Sequence, residues 1–154
     1  MARRSTDDGL SASDKKLLLV LEQWGWYVIS VAAEPTFSYS IGLYQHFQHP
    51  EIIVFGLSYD TGHRVINDAG KRIKEGFKYN AQCRYDDLLQ DYECEFRSVD
   101  PSRYDGHLNY AMWYYQNSDF PAIQLIWPDK QHRFPWEPDF AEEFRDDQPM
   151  LEHS

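Results

Sequence analysis

Residues 36–58, TFSYSIGLYQHFQHPEIIVFGLS, decide the fold. They predict two β-strands joined by a turn that carries two histidines. In the first strand, apolar side chains alternate with serines from Phe37 to Ile41, which is typical of a half-buried strand. The second strand, over residues 51–57, is almost continuously apolar, which is typical of a strand buried on both faces. A sheet therefore forms here, and the other elements must cover it.

Elements on both sides of this central pair complete an alternating pattern of helices and strands. The predicted elements are a helix from Ser11 or Ser13 to Gly25, a strand over 26–33, the central pair, a helix from Asp60 or Thr61 to about Glu75, a hairpin of strands over 77–85 and 92–99, a helix that begins at Asp100-Pro101-Ser102 and ends at Asn117, and a strand over 122–127. Short connections between strands imply antiparallel pairing. We therefore expect an α+β fold, a mixed and mainly antiparallel sheet of about five or six strands with helices packed against it, with a split barrel as one form it can take.

The spacing of apolar residues predicts which helix faces are buried. The second helix is expected to bury Val65 or Ile66, Ala69 and Ile73. Its opposite face carries the one basic patch of the chain, Arg64, Lys71, Arg72 and Lys74, which is typical of a solvated helix face. The third helix has the clearest stripe, Tyr104, Leu108, Ala111, Met112 and Tyr115.

Composition limits the classes of partner. The chain has 154 residues, a formal net charge of −10 and 42% hydrophobic residues, so we expect one globular domain over 11–154 after a disordered N-terminus at 1–10. Nucleic acid and anionic membranes are not expected as partners, because both require a basic surface. A basic protein partner, a small ligand and a homodimer all stay open.

The N-terminal region and the cysteines predict the compartment. The first residues, MARRSTDDGL, lack the apolar core of a signal peptide, so we expect a cytoplasmic protein. Thiols are reduced there, so Cys83 and Cys94 are predicted to be free. They are interpreted as two small core residues on a hairpin.

The turn between the central strands holds the first candidate ligand-binding residues. His46, His49 and Glu51 bring two imidazoles and a carboxylate together, which is chemistry that can ligate a metal. A turn does not assure metal geometry, so no metal is expected. Two interpretations remain: polar side chains that cap strand ends, and a neutral histidine that hydrogen-bonds a ligand.

The C-terminal part holds the second group. Trp127-Pro128-Asp129 and Phe134-Pro135-Trp136 place indoles and carboxylates beside rigid prolines, as in a pocket wall or a protein contact. We predict that this segment and the histidine turn lie at the same end of the sheet and form one pocket. The candidate ligand-binding residues are Tyr39, Ser40, His46, His49, Glu51, Trp127, Asp129 and Trp136.

Several motifs are specific enough to place the chain in a family. Phe37-Ser38-Tyr39-Ser40-Ile41-Gly42-Leu43, His49-Pro50-Glu51, Phe55-Gly56-Leu57, Gln124-Leu125-Ile126-Trp127-Pro128-Asp129, Phe134-Pro135-Trp136 and Gln148-Pro149 occur in this order. Together they resemble the bacterial family catalogued as domain of unknown function 4262, across about residues 25–151. The resemblance implies a type of domain and no activity.

The order of elements is also similar to the start of flavin-binding split barrels. That likeness implies a phosphate site in which Ser38, Ser40, Arg64 and Lys71 take part. It is a likeness of pattern, and a fold does not fix a function.

Three functions are compatible with the sequence, and the cofactor is unknown for all of them. The favoured hypothesis is a binding or interaction module, either regulatory, accessory or toxin-neutralising, because GxSxG, GxGxxG, P-loop and HExxH motifs are absent. The second is a flavin-like small-ligand-binding domain of oxidoreductase type. The third is an unrecognised enzyme that uses the histidine turn.

Overall fold

The computed structural model describes residues 11–152; the N-terminus predicted to be disordered lies outside them. Helix α1 spans Ala12–Trp24. The Ser11 hydroxyl caps it by accepting the Asp14 N–H at 3.1 Å. Gly25 ends it in the left-handed conformation, φ 100°, which favours glycine. The predicted start and end of this helix are both confirmed.

Within residues 11–152, six strands form a single open sheet. They are β1 Tyr27–Val31, β2 Phe37–Ile41, β3 Glu51–Phe55, β4 Arg84–Leu89, β5 Tyr92–Ser98 and β6 Ala122–Ile126. Their order is β1-β2-β3-β6-β5-β4, and β3 with β6 is the parallel pair in an otherwise antiparallel sheet. The predicted α+β class and mixed, mainly antiparallel sheet are confirmed. Because β1 and β4 are edges, the strands of the described part do not close into a split barrel.

Three further α-helices and two short 3₁₀ turns complete the described chain. They are α2 Leu43–Phe47, α3 Tyr59–Lys74, α4 Asn109–Tyr115 and the turns Pro101–Arg103 and Glu142–Phe144. The cap of helix α3 is Ser58, two residues before the nearer predicted cap, Asp60, because the Ser58 hydroxyl accepts the Thr61 N–H at 3.2 Å. Its predicted inward face is confirmed, since Val65, Ile66, Ala69 and Ile73 are buried.

The sheet separates two apolar layers. Helix α3 packs on one face, against Ile52, Val54, Phe96 and Leu125. Helices α1 and α4 pack on the other face, against Phe37, Tyr39, Ile53 and Phe55. All five residues of β2 are buried. The prediction of a half-buried strand, with its serine side facing solvent, is therefore wrong. The reason is α3, which lies so close that a Cβ on Gly62 would sit 3.1 Å from the Ser38 hydroxyl.

The hairpin differs from its prediction. Its first strand is β4, at residues 84–89, and its tight turn is Gln90-Asp91, where Asp91 has a left-handed φ of 67°. Cys94 therefore pairs with Tyr85, not with Cys83. Both cysteines are free, as predicted, but Cys83 is exposed and only Cys94 belongs to the core. Asp86 and Asp87 can lie on a strand here because β4 is an edge.

The third predicted helix is shorter than its apolar stripe suggests. A 3₁₀ turn at Pro101–Arg103 is followed by Gly106 at φ 88°, which interrupts the helix, and α4 begins only at Asn109. The side-chain prediction holds better than the backbone prediction. Tyr104, Leu108, Ala111 and Tyr115 are buried, while Met112 is partly buried.

No helix within residues 11–152 has both the length and the apolar character needed to cross a membrane.

Candidate functional site: a lysine-rimmed cavity at the edge of the sheet

A concavity lies beside edge strand β1, between the two helical layers. Its volume is about 790 Å³, within the usual range of small-ligand sites. Helix α1 forms one wall, α3 forms the other, and the start of β1 lies between them. We call it the α1–α3 cavity. Its lining residues are Lys16, Val20, Trp24, Trp26, Tyr27, Val28, His63, Asn67, Lys71, Lys74 and Glu75.

The local sequence explains how this cavity forms. Gly25 turns the chain directly from α1 into β1, so Trp24 and Trp26 stand on either side of the turn. The Trp26 indole N–H donates to the Asn67 side-chain oxygen at 2.9 Å, which fixes the ring against α3. A Cβ on Gly70 would lie 2.5 Å from the same indole, so only glycine leaves room for it. Trp24, by contrast, is 54% exposed and presents its ring to solvent.

The rim of the cavity is basic, although the protein is strongly acidic. Lys16 projects from α1, and Lys71 and Lys74 project from α3, against one acidic lining residue, Glu75. With histidine neutral, three positive and one negative side chain give +2, compared with −10 for the whole chain. Within residues 11–152, none of the three lysines forms an ion pair. The rim therefore has uncommitted positive charge next to apolar walls.

His63 adds a polar group to the wall formed by α3. Its ring stacks on Tyr59, with ring centroids 5.7 Å apart. Its Nδ1 atom is buried and has no hydrogen-bond partner among the described residues. Buried nitrogens are usually paired, so this one is uncommon. The cavity can thus offer cations, indole faces and one imidazole to a ligand.

The predicted site residue Glu51 is instead the centre of a buried structural network. Its carboxylate is fully buried and accepts hydrogen bonds from the backbone N–H groups of Gly42, Leu43 and Tyr44 at 3.0, 3.3 and 3.2 Å. The hydroxyls of Ser40 (2.7 Å) and Tyr115 also donate to it. Burial raises the pKa of Glu51, and these hydrogen bonds oppose that rise. The network ties α2 to β2, β3 and α4.

The two histidines of the predicted turn also have structural partners. The Tyr79 backbone N–H donates to His49 Nε2 at 3.0 Å, so Nδ1 carries the proton and donates to the Pro50 carbonyl at 2.8 Å. Burial lowers the pKa of His49, and this geometry keeps the ring neutral. His46 lies on α2, which replaces the predicted turn, and its Nδ1 donates to the Gly42 carbonyl at 3.2 Å. Both rings therefore stabilise the α2 region.

Tyr39 and Asp129 also have hydrogen-bond partners within the fold. The Tyr39 hydroxyl accepts the Tyr110 N–H at 3.0 Å, and burial raises its pKa to about 12. Asp129 accepts the backbone N–H groups of Gln131, Arg133 and Ala141, each at 2.9 Å. Burial alone would raise the pKa of Asp129, but these three N–H groups and the Arg133 guanidinium outweigh burial and lower it. Asp129 therefore caps a tight turn.

The structure does not bring the histidine region and the tryptophan segment into one pocket. Glu51 begins β3 and pairs with the first residue of parallel β6, whereas Trp127 follows the end of β6 and donates from its indole to the Phe55 carbonyl at 2.7 Å. The two groups lie at opposite ends of β3, roughly 13 Å apart at about 3.3 Å per residue. The expectation of a shared site is wrong because β3 and β6 run parallel, so their starts and ends lie at opposite edges of the core.

Trp127 and Trp136 also serve different surroundings. Trp127 lies beside a separate cavity of about 350 Å³ with Arg64 and Phe144. Trp136 is 39% exposed, stacks on Phe134 and holds the Arg97 guanidinium 4.0 Å above its ring. The two tryptophans therefore make separate contacts: Trp127 packs at the end of β3, and Trp136 packs against Arg97 of β5.

The residues implied by the flavin likeness do not converge. Ser38 and Ser40 are buried, bonded to the Ser30 hydroxyl and to Glu51. Arg64 is exposed and pairs with Asp68 at 3.5 Å. Lys71 alone of the four lines the α1–α3 cavity. Among the described residues, no group of three or more His, Cys, Asp or Glu is arranged to hold a metal ion.

The sequence indicates some residues of the cavity but does not predict that they lie together. Lys71 and Lys74 belong to the basic face that the sequence predicts for α3. The apolar spacing of Leu17, Leu21 and Trp24 predicts that Trp24 lies on the buried face of α1, but Trp24 is exposed. Nothing local indicates that α1 and α3 flank the same edge strand from opposite faces. That juxtaposition depends on the strand order, which the sequence does not specify.

The fold and this site define an α+β domain with an open mixed sheet and a lysine-rimmed cavity at one sheet edge. The family model described as Domain of unknown function (DUF4262) matches residues 20–141, so the chain belongs to that family. Neither a curated protein nor a solved structure matches the chain.

Proposed function

We propose that the protein is a binding module and that the α1–α3 cavity is its recognition site, which takes an organic anion with an apolar or aromatic part. One observation carries the proposal: three lysines without ion pairs surround apolar walls in a protein of net charge −10. Such a combination is uncommon by chance, since the rest of the chain has an excess of acidic groups. Ligand sites typically join apolar walls to a few polar groups that fix orientation.

The walls suit a flat or branched apolar group. Trp24 and Trp26 provide indole surfaces, and Val20 and Val28 provide aliphatic surface. The Trp26 ring is hydrogen-bonded to Asn67 and packs directly on Gly70, where no side chain displaces it. This wall is therefore formed before a ligand arrives. A preformed wall lowers the entropy cost of binding.

A binding role is supported over catalysis by the histidine turn. The ring nitrogens of His49 hydrogen-bond to the backbone, and the Glu51 carboxylate accepts five hydrogen bonds within the fold. A general acid or base must reach its substrate, and groups with filled partners do not. A basic protein partner, which the net charge suggests, would have to bind elsewhere. We also infer a cytoplasmic location, with the exposed free thiol of Cys83 in support.

A charge-reversal pair tests the proposal. The probe is anilinonaphthalene sulfonate, an aromatic anion, titrated by fluorescence against the folded protein. Lys16→Glu changes a lysine in the rim, and Lys15→Glu makes the same change one residue earlier, outside the lining. We expect Lys16→Glu to weaken probe affinity about tenfold, because reversing one charge a few ångströms from an anion costs on the order of 1–2 kcal/mol in water. Equal affinities for the two variants would overturn the proposal.

A further inference from the structure

The two edges of the sheet are built differently. At one edge, β4 has the sequence RYDDLL, and its pairing with β5 shifts register between Tyr85 and Leu89. Charged side chains and register irregularities are devices by which proteins prevent another strand from adding to an exposed edge. Arg84, Asp86 and Asp87 therefore block addition at β4.

The other edge has no such device. Strand β1, YVISV, contains neither charge nor proline. It pairs with β2 in an unbroken register of five residues, from Tyr27 opposite Ile41 to Val31 opposite Phe37. Within residues 11–152, no strand pairs with its outer side. A regular, uncharged edge with free N–H and C=O groups is a template for a further strand.

The start of this open edge lies in the α1–α3 cavity. Trp26, Tyr27 and Val28 line the cavity, with α1 on one side of the strand and α3 on the other. A groove between an exposed sheet edge and a helix is a recurring site for extended peptides, which add as a strand. Main-chain hydrogen bonds then give affinity, and pockets for alternate side chains give specificity.

Charge identifies the occupant. Lys16 approaches the edge from the α1 side, and Lys71 and Lys74 approach from the α3 side. Alternate side chains of an added strand point to these two sides, so acidic residues on either face would meet a lysine. A second copy of this chain would bring the same lysines to the same edge, and like charges would oppose pairing.

We propose that the α1–α3 cavity receives an extended acidic peptide segment of a partner protein, which pairs with β1 as a seventh strand. This inference rests on the proposed function and names its ligand class. In this proposal the unpaired edge of β1 binds the peptide backbone and the three lysines bind its acidic side chains.

The test uses a short synthetic peptide of alternating glutamate and valine, blocked at both ends. A lysine–valine peptide of the same length is the charge control. Two further glutamate–valine peptides carry N-methyl groups on every second amide, one in each register, because only alternate amides of a paired strand face its neighbour. Binding is followed by amide hydrogen exchange over residues 26–31 of the full chain.

We expect the glutamate–valine peptide to slow exchange in β1 about tenfold or more at saturation, since paired amides exchange only on opening. One N-methylated peptide should lose binding and the other should retain it, and the lysine–valine peptide should not bind. Unchanged exchange in β1, with probe binding still dependent on Lys16, would overturn the strand inference and leave the proposed function standing. Indifference of probe binding to Lys16→Glu would overturn the proposed function itself.

Exchange in the free protein decides between the other occupants. If the β1 amides already exchange slowly without peptide in a concentration-dependent way, a second copy covers the edge and the inference is overturned. Slow exchange that does not depend on concentration would assign the edge to the chain's own residues, and it would overturn the inference equally.

Discussion

The phenol of Tyr115 donates a hydrogen bond to the carboxylate of Glu51, and this contact joins α4 to the start of β3. The Tyr115 oxygen also accepts the Gln45 N–H at 3.1 Å, so this one hydroxyl links α4 to α2 as well as to β3. Because Glu51 is buried and has no basic partner among the described residues, these donors are what keep its carboxylate compatible with the core.

Tyr115→Phe tests this network. The change removes a donor from Glu51 and an acceptor from Gln45, and each buried group left unpaired costs about 1–3 kcal/mol. We expect the free energy of unfolding in urea to fall by at least that amount. Tyr44→Phe is the matched control, since its ring lies 6.1 Å from that of Tyr115 and its hydroxyl has no hydrogen bond in the described structure. Equal losses for the two variants would contradict the role of the Tyr115 hydroxyl.

His49 gives the protein a defined pH dependence. Its pKa is lowered from 6.5, chiefly by burial, so between 6.5 and the lowered value the unfolded chain binds more protons than the native state. Stability contributed by neutral His49 is therefore full above pH 6.5 and is lost as pH falls below it, by no more than about 1.4 kcal/mol per pH unit. Urea unfolding at pH about 7.5 and about 5.5 measures this loss.

The same two measurements on His49→Gln isolate the histidine. Glu51 titrates with the opposite sign, because its pKa is raised by burial and its protonation favours the native state as pH falls. Subtracting the variant from the wild type removes that contribution. A variant that loses as much stability on acidification as the wild type would show that His49 is not responsible.

We predict that position 70 requires glycine because the Trp26 ring packs against it, and not because the helix backbone needs glycine there. In an exposed helix, Gly→Ala is favourable by about 1 kcal/mol, but here the new Cβ would lie 2.5 Å from the indole. We expect Gly70→Ala to destabilise the protein by about 1–3 kcal/mol, the usual cost of overpacking. Trp26→Leu removes the ring, so the alanine should cost much less in that background. An additive double-mutant cycle would refute the contact.

The two thiols should differ sharply in reactivity. Cys83 is exposed and Cys94 is buried, where burial and the Asp87 carboxylate raise its pKa to about 12. The thiolate is the reactive form, so Cys94 has neither access nor nucleophilicity in the native state. We expect one thiol per chain to react with a disulfide reagent in native buffer and two in denaturant. Cys83→Ser should abolish the native reaction; persistence of that reaction would reverse the assignment.

The sequence predicted the parts of the fold that local pattern controls. The cap at Ser11, the stop at Gly25 and the buried face of α3 follow from residue chemistry and helical period alone. The strand at Phe37–Ile41 was placed correctly, but burial of Ser38 was not foreseen. Alternation shows that two faces differ, and it does not show whether a glycine-containing helix covers the polar one.

The candidate site depended on long-range geometry, where local pattern fails. Glu51 was singled out for its polarity within an apolar strand, and that anomaly is real, but its partners include Tyr115, 64 residues away. The parallel pairing of β3 with β6 moved Trp127 to the far end of the strand from His49. Lys16 and Lys71 meet at one cavity because β1 is an edge, which only the strand order reveals.

The most direct test of the account uses the indole N–H resonances of the five tryptophans, recorded while anilinonaphthalene sulfonate is added. Trp→Phe variants assign each signal. Two indoles, Trp24 and Trp26, line the α1–α3 cavity, and Trp127 and Trp136 lie in the segment first expected to bind a ligand. We predict saturable shifts at Trp24 and Trp26, with half-saturation at about tenfold higher probe concentration in Lys16→Glu and unchanged in Lys15→Glu. Shifts at Trp127 or Trp136 with Trp24 and Trp26 unmoved would contradict it.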